Sequence, residues 1–589
     1  MVIKGEKIDY FKDLLRKSEQ GRDEAFEDIP ANREQYRGSD RLDGSAERAA
    51  MVRNITYELV EAQVSTLIPS PRVDAKVWSE KGARNAESIE RLCRDLRNEL
   101  PFERLNDICE RLTYVEGGSV WLIEWDETLC HHGEQGGVRI TCSSAEDFFP
   151  QPGIYHVEDM EWVILRCRAG LDELESKYGV AVGEAPEEDE LFIVYTAFYR
   201  NDAGRVSKFV WTGNTVLLDV EDYYARKHEV CERCGKLRTL SGVEEHCVCG
   251  GRFLSRSLPF EVLTADLTRS DGSVIRARER SVLKNGEEKD VPTQLPWYRP
   301  SRFPVVVRKN TSREGSVLGQ SDCRFIRRQQ QEINKVESRI HDKLMSAGCY
   351  PVKPEDVDFQ YDDTVGVQVL NIPEGKSRND FGVIDMLPSL VGEQSQSDRL
   401  YEHAKRILGI SNSFLGQEDH TAASGTAKAT QIAQSAGRLD SKRVMKNAAY
   451  AEIDRIIFEL YLAFADEPRP VAFTDALGRK QNGSFHRYDF LERDAEGNWY
   501  YEDRYLFSAD SSGAADLSRE RIWQMNMESF KAGVFGDPQA AATLLRYWLM
   551  QERAHYPSAR ENVEYFRAML AEEQARGISS GRVQIVEPS

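Results

Sequence analysis

The sequence holds no run near the roughly eighteen uninterrupted apolar residues that a membrane-spanning helix requires. Its first twenty residues, MVIKGEKIDYFKDLLRKSEQ, are charged throughout and lack the apolar centre of a signal peptide. The expectation is a cytosolic chain with no membrane partner. G-x-x-x-x-G-K-[ST], H-E-x-x-H and G-x-S-x-G are all missing, which removes a P-loop motor, a helical zinc protease and a serine-hydrolase elbow in turn. An excess of positive charge is missing as well: 78 Lys and Arg stand against 98 Asp and Glu, a formal charge of −20. Tight nucleic-acid binders gain affinity by neutralising phosphates with lysine and arginine, so any contact with DNA should be weak or passing. No internal repeat is visible, and 589 residues are enough for several regions with ample core.

Cysteine is present, but not as a disulfide framework. Seven of the eleven (Cys93, Cys109, Cys130, Cys142, Cys167, Cys323 and Cys349) are scattered in apolar or helical surroundings, an odd set expected to be buried thiols. The other four are concentrated in CERCGKLRTLSGVEEHCVCGG, residues 231–251. Cys231 and Cys234 form C-x-x-C before Gly235, a spacing that lets one tight turn aim two thiolates at one point. On the return arm stand His246, Cys247 and Cys249 before Gly250 and Gly251. His246-x-x-Cys249 and Cys247-x-Cys249 both complete a four-ligand set, so four of these five residues are expected to hold a closed, structural zinc ion. A closed site has no open position for catalytic water. His156-Val157-Glu158 imitates half of a deaminase signature, but no Pro-Cys-x-x-Cys follows it.

Periodicity places a helix over Ala46–Leu67, alternation in Val73, Ala75 and Val77, and helices over Asn85–Leu100 and Phe102–Tyr114. Strands follow near Ser119–Trp125, Val138–Cys142, Trp162–Cys167, Leu191–Tyr199 and Lys208–Trp211. Pro292, Pro296, Pro300 and Pro304 then mark a connection that cannot be helical. From Ser321 the character changes. A helix to Met345 carries a narrow stripe, Ile326, Ile333, Val336, Ile340 and Leu344, among Arg324, Arg327, Arg328 and three glutamines. A β-leaning segment, Cys349–Pro388, leads to a second helix, Leu390–Leu408. The loop Ser411–Ser424 precedes a proline-free stretch, Thr426–Ala465, read as one helix about 60 Å long at about 1.5 Å per residue. Its first half is small and polar, its second apolar. Val471–Phe473 and hairpins around Asn482-Gly483 and Glu496-Gly497 restore β structure. Helix starts at Ser518, at Asp537-Pro538 and at the Ser558-x-x-Glu561 capping box make the C-terminal part helical. The fold class is α+β.

This order of parts resembles the portal proteins of tailed bacteriophages and prophages, and the stretches that carry the resemblance are GQSDCRFIRRQQQEINKVESRIHDKL, RILGISNSFLGQEDHTAASGTAKAT and EDFFPQPGIYHVEDMEWVILRCRAGLDELESKYG. The resemblance implies a ring of about twelve copies at one capsid vertex, closed by rotation, through which double-stranded DNA is packaged and ejected. It implies a virion component, assembled in the host cytoplasm, with no catalytic residues. Residues 1–320 would be a wing with a zinc-knuckle insertion at 226–256, 321–348 and 389–410 two stem helices, and 349–388 a clip. Residues 411–424 would be a tunnel loop, with Asn412, Ser413, Gln417, Glu418, Asp419 and His420 facing DNA. Residues 425–466 would be the wing's spine helix, 467–510 its β return, and 511–589 a crown and tail. Its partners would be the terminase motor, head-completion or adaptor proteins, scaffold and the major capsid protein. An acidic lumen would keep the duplex from sticking. The zinc insertion departs from this family pattern. The alternative is a zinc-ribbon nucleic-acid-binding or DNA-processing protein, against which the acidity stands.

Overall fold

A computed structural model of the chain describes residues 6–570 except 39–52, 78, 132–133, 181–190, 226, 234–246, 248, 258–259, 264–265, 283–287, 346–348, 353, 356–373, 381, 386–388, 411–424, 475–479, 511–518, 538–539, 554–558 and 560–561. It is a mixed α+β protein built on several small antiparallel sheets.

Helix α1 (Lys7–Gln20) buries Phe11 and Leu14, a stripe that the charge around it hides in the sequence. Asp23 caps α2 (Glu24–Glu27) by accepting from the Ala25 and Phe26 amides, and α3 (Ile29–Arg37) ends at Gly38 with φ +73°. Of the helix expected over Ala46–Leu67, residues 46–52 lie outside the described residues, and its C-terminal end comes earlier than Leu67. Helix α4 spans Ile55–Glu61, begun by Asn54, whose side chain accepts from the Tyr57 amide at 2.9 Å. Beyond it the Ser65 and Leu67 carbonyls accept from Asn106 and Lys446 at 2.9 and 2.6 Å, contacts that hold this stretch out of the helix.

Strand β1 (Ser70–Ala75) pairs antiparallel with Tyr505–Asp510, tying the first part of the body to a segment more than four hundred residues later. Helix α5 (Glu80–Glu99) starts a turn earlier than its apolar pattern suggests because Ser79 caps it. Helix α6 (Phe102–Glu116) stops at Gly117, φ +90°, where a Cβ would meet the Gly319 carbonyl oxygen at 2.4 Å. Strands β2 (Gly118–His131) and β3 (Glu134–Ser144) form a three-stranded sheet with Val305–Lys309, β2 in the centre. Next come β4 (Phe148–Pro150), β5 (Trp162–Ala169), helix α7 (Leu171–Tyr178), β6 (Phe192–Arg200), β7 (Val206–Thr212) and β8 (Thr215–Val220). These five strands make an antiparallel meander in chain order. On it lies α1, with Phe11 stacked against Phe209 and Trp211 at 4.9 and 5.8 Å between ring centroids. Strands β9 (Lys227–Cys231) and β10 (Phe253–Ser257) then pair as a separate hairpin.

Helix α8 (Asp322–Met345) packs against α9 (Val391–Leu408), and between them Cys349–Val352 pairs antiparallel with Gly382–Asp385. Thr364–Leu370 lies outside the described residues. Only the first half of the α8 stripe is core: Ile326, Ile333 and Val336 are buried, Ile340 is half-buried and Leu344 is 52 % exposed. Ile326 and Ile333 form a small core of their own with Ile55, Leu59, Tyr401, Ala404, Leu408 and Ile410. Helix α10 (Gly425–Phe464) is a single 40-residue helix, and from Ile456 to Ala465 every side chain is buried. There it joins the main core with Leu92, Leu96, Phe102, Trp121, Ile123 and Val305.

Asn482 and Gly483 do not make a turn. They lie inside the strand Lys480–Phe485, opposite Ala472 and Val471 of Arg469–Thr474. The glycine tolerates a strand position, and residues 475–479 lie outside the described residues. The Glu496-Gly497 turn is present, between Leu491–Arg493 and Trp499–Tyr501, with Gly497 at φ +87°. Helices α11 (Arg519–Lys531) and α12 (Ala541–Arg553) and a helical run at 562–570 complete the chain. Helix α12 begins at Ala541; Pro538 of the expected Asp537-Pro538 start lies outside the described residues, and the Ala540 amide donates to the Asp537 carbonyl at 3.0 Å. Ser518, Ser558 and Glu561 lie outside the described residues. Of the scattered cysteines, Cys93, Cys109 and Cys323 are buried, Cys142 is half-buried, and Cys167 is exposed where the burial of β5 gives way.

Candidate metal centre and helix anchor

The β9–β10 hairpin brings the two arms of the cysteine-rich stretch together. Cys231 is the last residue of β9 and pairs with Phe253, so the return arm passes directly beside it. A tight turn follows the second arm: the Gly250 amide donates to the Cys247 carbonyl at 2.7 Å, and the Cys247 amide to the Gly251 carbonyl at 2.9 Å. Gly250 holds φ +80°, and a Cβ on Gly251 would stand 2.6 Å from the Cys231 sulfur. The second glycine is therefore needed for close approach. Sulfurs of Cys231, Cys247 and Cys249 all lie within 4.8 Å of one another, with Cys231 and Cys249 at 3.4 Å. Tetrahedral zinc with Zn–S bonds of about 2.3 Å places its sulfurs about 3.8 Å apart, so this group can hold a metal ion. Cys231 and Cys247 are buried, and Cys249 is the most open of the three. The Arg233 guanidinium donates to the Cys249 carbonyl at 3.1 Å, which ties the two arms together beside the sulfurs. Cys234 and His246 lie outside the described residues.

A second constellation, which no local motif announces, fastens α10. Lys442 and Lys446 stand one turn apart on it. The Lys442 ammonium donates to Asp322 at 2.6 Å and to the Gln63 side chain at 2.8 Å, while Asn310 donates to the same carboxylate at 2.8 Å. The Lys446 ammonium lies 2.8 Å from Glu110, which also accepts from Arg308 at 2.6 Å. Glu110, Arg308, Asp322 and Lys446 are all buried. Burial lowers the Lys446 ammonium below the usual lysine value against the opposing pull of Glu110. Burial would raise Glu110, but Arg308 and Lys446 hold it below the ordinary carboxylate value. This anchor joins α6, the strand Val305–Lys309, the first residue of α8 and the middle of α10. The available signal was a pair of lysines at i and i+4 on a helix otherwise turning apolar. Their partners lie more than a hundred residues away.

The six loop residues Asn412, Ser413, Gln417, Glu418, Asp419 and His420 lie outside the described residues, between α9 and α10. Glu158 of the deaminase-like triplet accepts from Arg302 at 2.6 Å, an ordinary ion pair. The polar residues of α8 are largely engaged within the chain: Arg327 donates to Asp28 and Asn32 at 2.9 and 2.8 Å, Arg324 pairs with Glu24 and Asp28, and buried Gln330 bonds Thr56, Arg53 and Asn334. No protein-family model and no curated protein sequence matches the chain.

Proposed function

We propose that the chain is a portal-type ring subunit of a tailed bacteriophage or prophage, a structural channel protein for double-stranded DNA and not an enzyme. One observation carries this reading. Two antiparallel helices, α8 and α9, embrace a small two-stranded sheet at their far end, and a 40-residue helix buried in a β-rich body over its second half follows them directly. In this reading α8 and α9 are the stem and residues 349–388 the clip that meets the terminase motor and later the head-completion proteins. Residues 411–424 are the tunnel loop, α10 is the spine, and α11 with α12 belongs to the crown. Scaffold and the major capsid protein meet the outer body.

Several cations of the stem are paired within the subunit: Lys343 with Glu393, Lys405 with Glu402, and Arg324 and Arg327 with Asp28. Each such pair weakens the grip on phosphates, which supports a duplex that slides. The purified protein is expected to form closed rings of about twelve copies with an axial hole in negative-stain electron microscopy and mass measurement. A monomer that neither concentration nor scaffold drives into rings overturns the reading.

The thiol cluster is a closed, structural zinc site within this proposal, held by Cys231, Cys247, Cys249 and Cys234, with His246 the competing fourth ligand. Cys234→Ser should lower bound zinc and loosen the hairpin. Full retention of zinc by that variant removes Cys234 from the ligand set.

A further inference from the structure

The buried sulfur of Cys109 meets two fixed donors, Trp121 and Arg308, and two hydroxyls, Ser119 and Thr113, that can donate or accept. It lies 2.9 Å from Ser119 Oγ, 3.1 Å from Trp121 Nε1, 3.5 Å from Arg308 Nη1 and 3.8 Å from Thr113 Oγ1. An indole N–H and a guanidinium can only donate, so the sulfur must accept from both. Cys142, directly opposite Trp121 in the β2–β3 ladder, is the neighbouring thiol. Charge points the same way. The anchor beside Cys109 contains three cations, Arg308, Lys442 and Lys446, but only two carboxylates, Glu110 and Asp322. The neighbouring buried pair, Arg97 with Asp454, is already balanced. The phenols of Tyr114 and Tyr450, the other titratable groups here, are pushed up by burial and stay neutral. Among the described residues, one buried positive charge is thus left without a counter-charge, which is costly in a low-dielectric interior.

We propose that Cys109 stands in the folded protein as a thiolate, the third anion of the buried cluster that fastens the long helix α10 to α6, α8 and the central sheet. Burial by itself raises a thiol, yet the Cys142 hydrogen bond, the Arg308 charge and the Ser119 hydroxyl bring Cys109 from 9.0 down to about 6, while its bond to Cys109 pushes Cys142 up. Because the folded value is depressed, this contribution to stability is complete above 9.0 and is lost as pH falls through about 6.

The test compares the full-length protein with Cys109→Ser, both with the same zinc content. The ultraviolet difference spectrum at neutral pH should show the loss of one thiolate, and the gap in urea midpoint should widen as pH rises from about 6 to 9.0. A spectrum without a thiolate band, or a gap independent of pH, overturns the proposal. If the serine variant does not fold, Cys109→Asp and Cys109→Asn decide, since they match in size and differ in charge. Greater stability of the aspartate variant upholds the buried anion, and equal or greater stability of the asparagine variant refutes it.

Discussion

Glu452 shows what one carboxyl does when the fold surrounds it. It faces Arg302 at 3.7 Å across Glu158, while Glu459 meets Arg302 and Arg455 at 3.8 and 3.2 Å. Burial first, and then the charge of Glu158, push Glu452 from 4.5 up to about 7. Between these values the folded protein keeps a proton that the unfolded chain has released, so this group makes stability fall as pH rises through the window. In Glu452→Gln that slope should vanish: urea midpoints of variant and wild type converge on the acid side and separate in favour of the variant toward pH 7. A constant offset across the window would show that Glu452 does not titrate there. Gly251 gives a steric counterpart. Gly251→Ala should reduce zinc content, because the new methyl meets the Cys231 sulfur, and unchanged metal content would mean that the turn relaxes freely. At this scale the sequence exposes the cysteines by their spacing. It conceals the anchor, since Glu110, Arg308, Asp322 and Lys446 each look like surface charges until the chain folds them onto one another.

Elements were legible where a short window carries the whole signal. The limits of α6, α8, α9 and α10 follow from apolar spacing, caps and the absence of proline. Two failures have the opposite cause. Helix α4 ends at Glu61 because side chains from α6 and α10 bond the following carbonyls, and Asn482-Gly483 is a strand because Val471 and Ala472 pair with it. The first depends on partners remote in sequence, the second on a hairpin whose turn falls elsewhere than at the Asn-Gly pair. Helix α10 is held at its second half by Phe458, which meets Phe485, Phe490, Tyr505 and Phe507 at 5.1 to 6.5 Å between centroids. Phe458→Ala should therefore cost about 3–5 kcal/mol in urea unfolding, and a loss below about 1 kcal/mol would show that the site collapses around the gap. Phe11→Ala acts on a different element. Amide exchange should accelerate across α1 alone, with the five-stranded sheet still protected, and if the sheet exchanges too, α1 is part of its folding unit.

Across the whole molecule the acidity is unevenly spread. Helices α8 and α9 with residues 425–446 carry fourteen Lys and Arg against eight Asp and Glu, within a chain whose formal charge is −20. In the portal reading these helices would not supply an acidic lumen, because their cations outnumber their anions. The monomer should bind duplex DNA weakly. Tight, salt-sensitive binding would favour the zinc-ribbon alternative, because each firm phosphate contact adds both affinity and salt dependence. By itself the sequence determined the α+β class, the three long helices and a clustered set of metal-competent cysteines, since each is written in residues a few positions apart. Only the tertiary structure decided that Cys247 joins Cys231 and Cys249, that the first half of α8 is rooted in a core of its own, and that two lysines of α10 are fastened on Asp322 and Glu110. Those outcomes depend on which distant segments meet. The free energy of burying a charge or a ring is set by that meeting, and no local pattern records it.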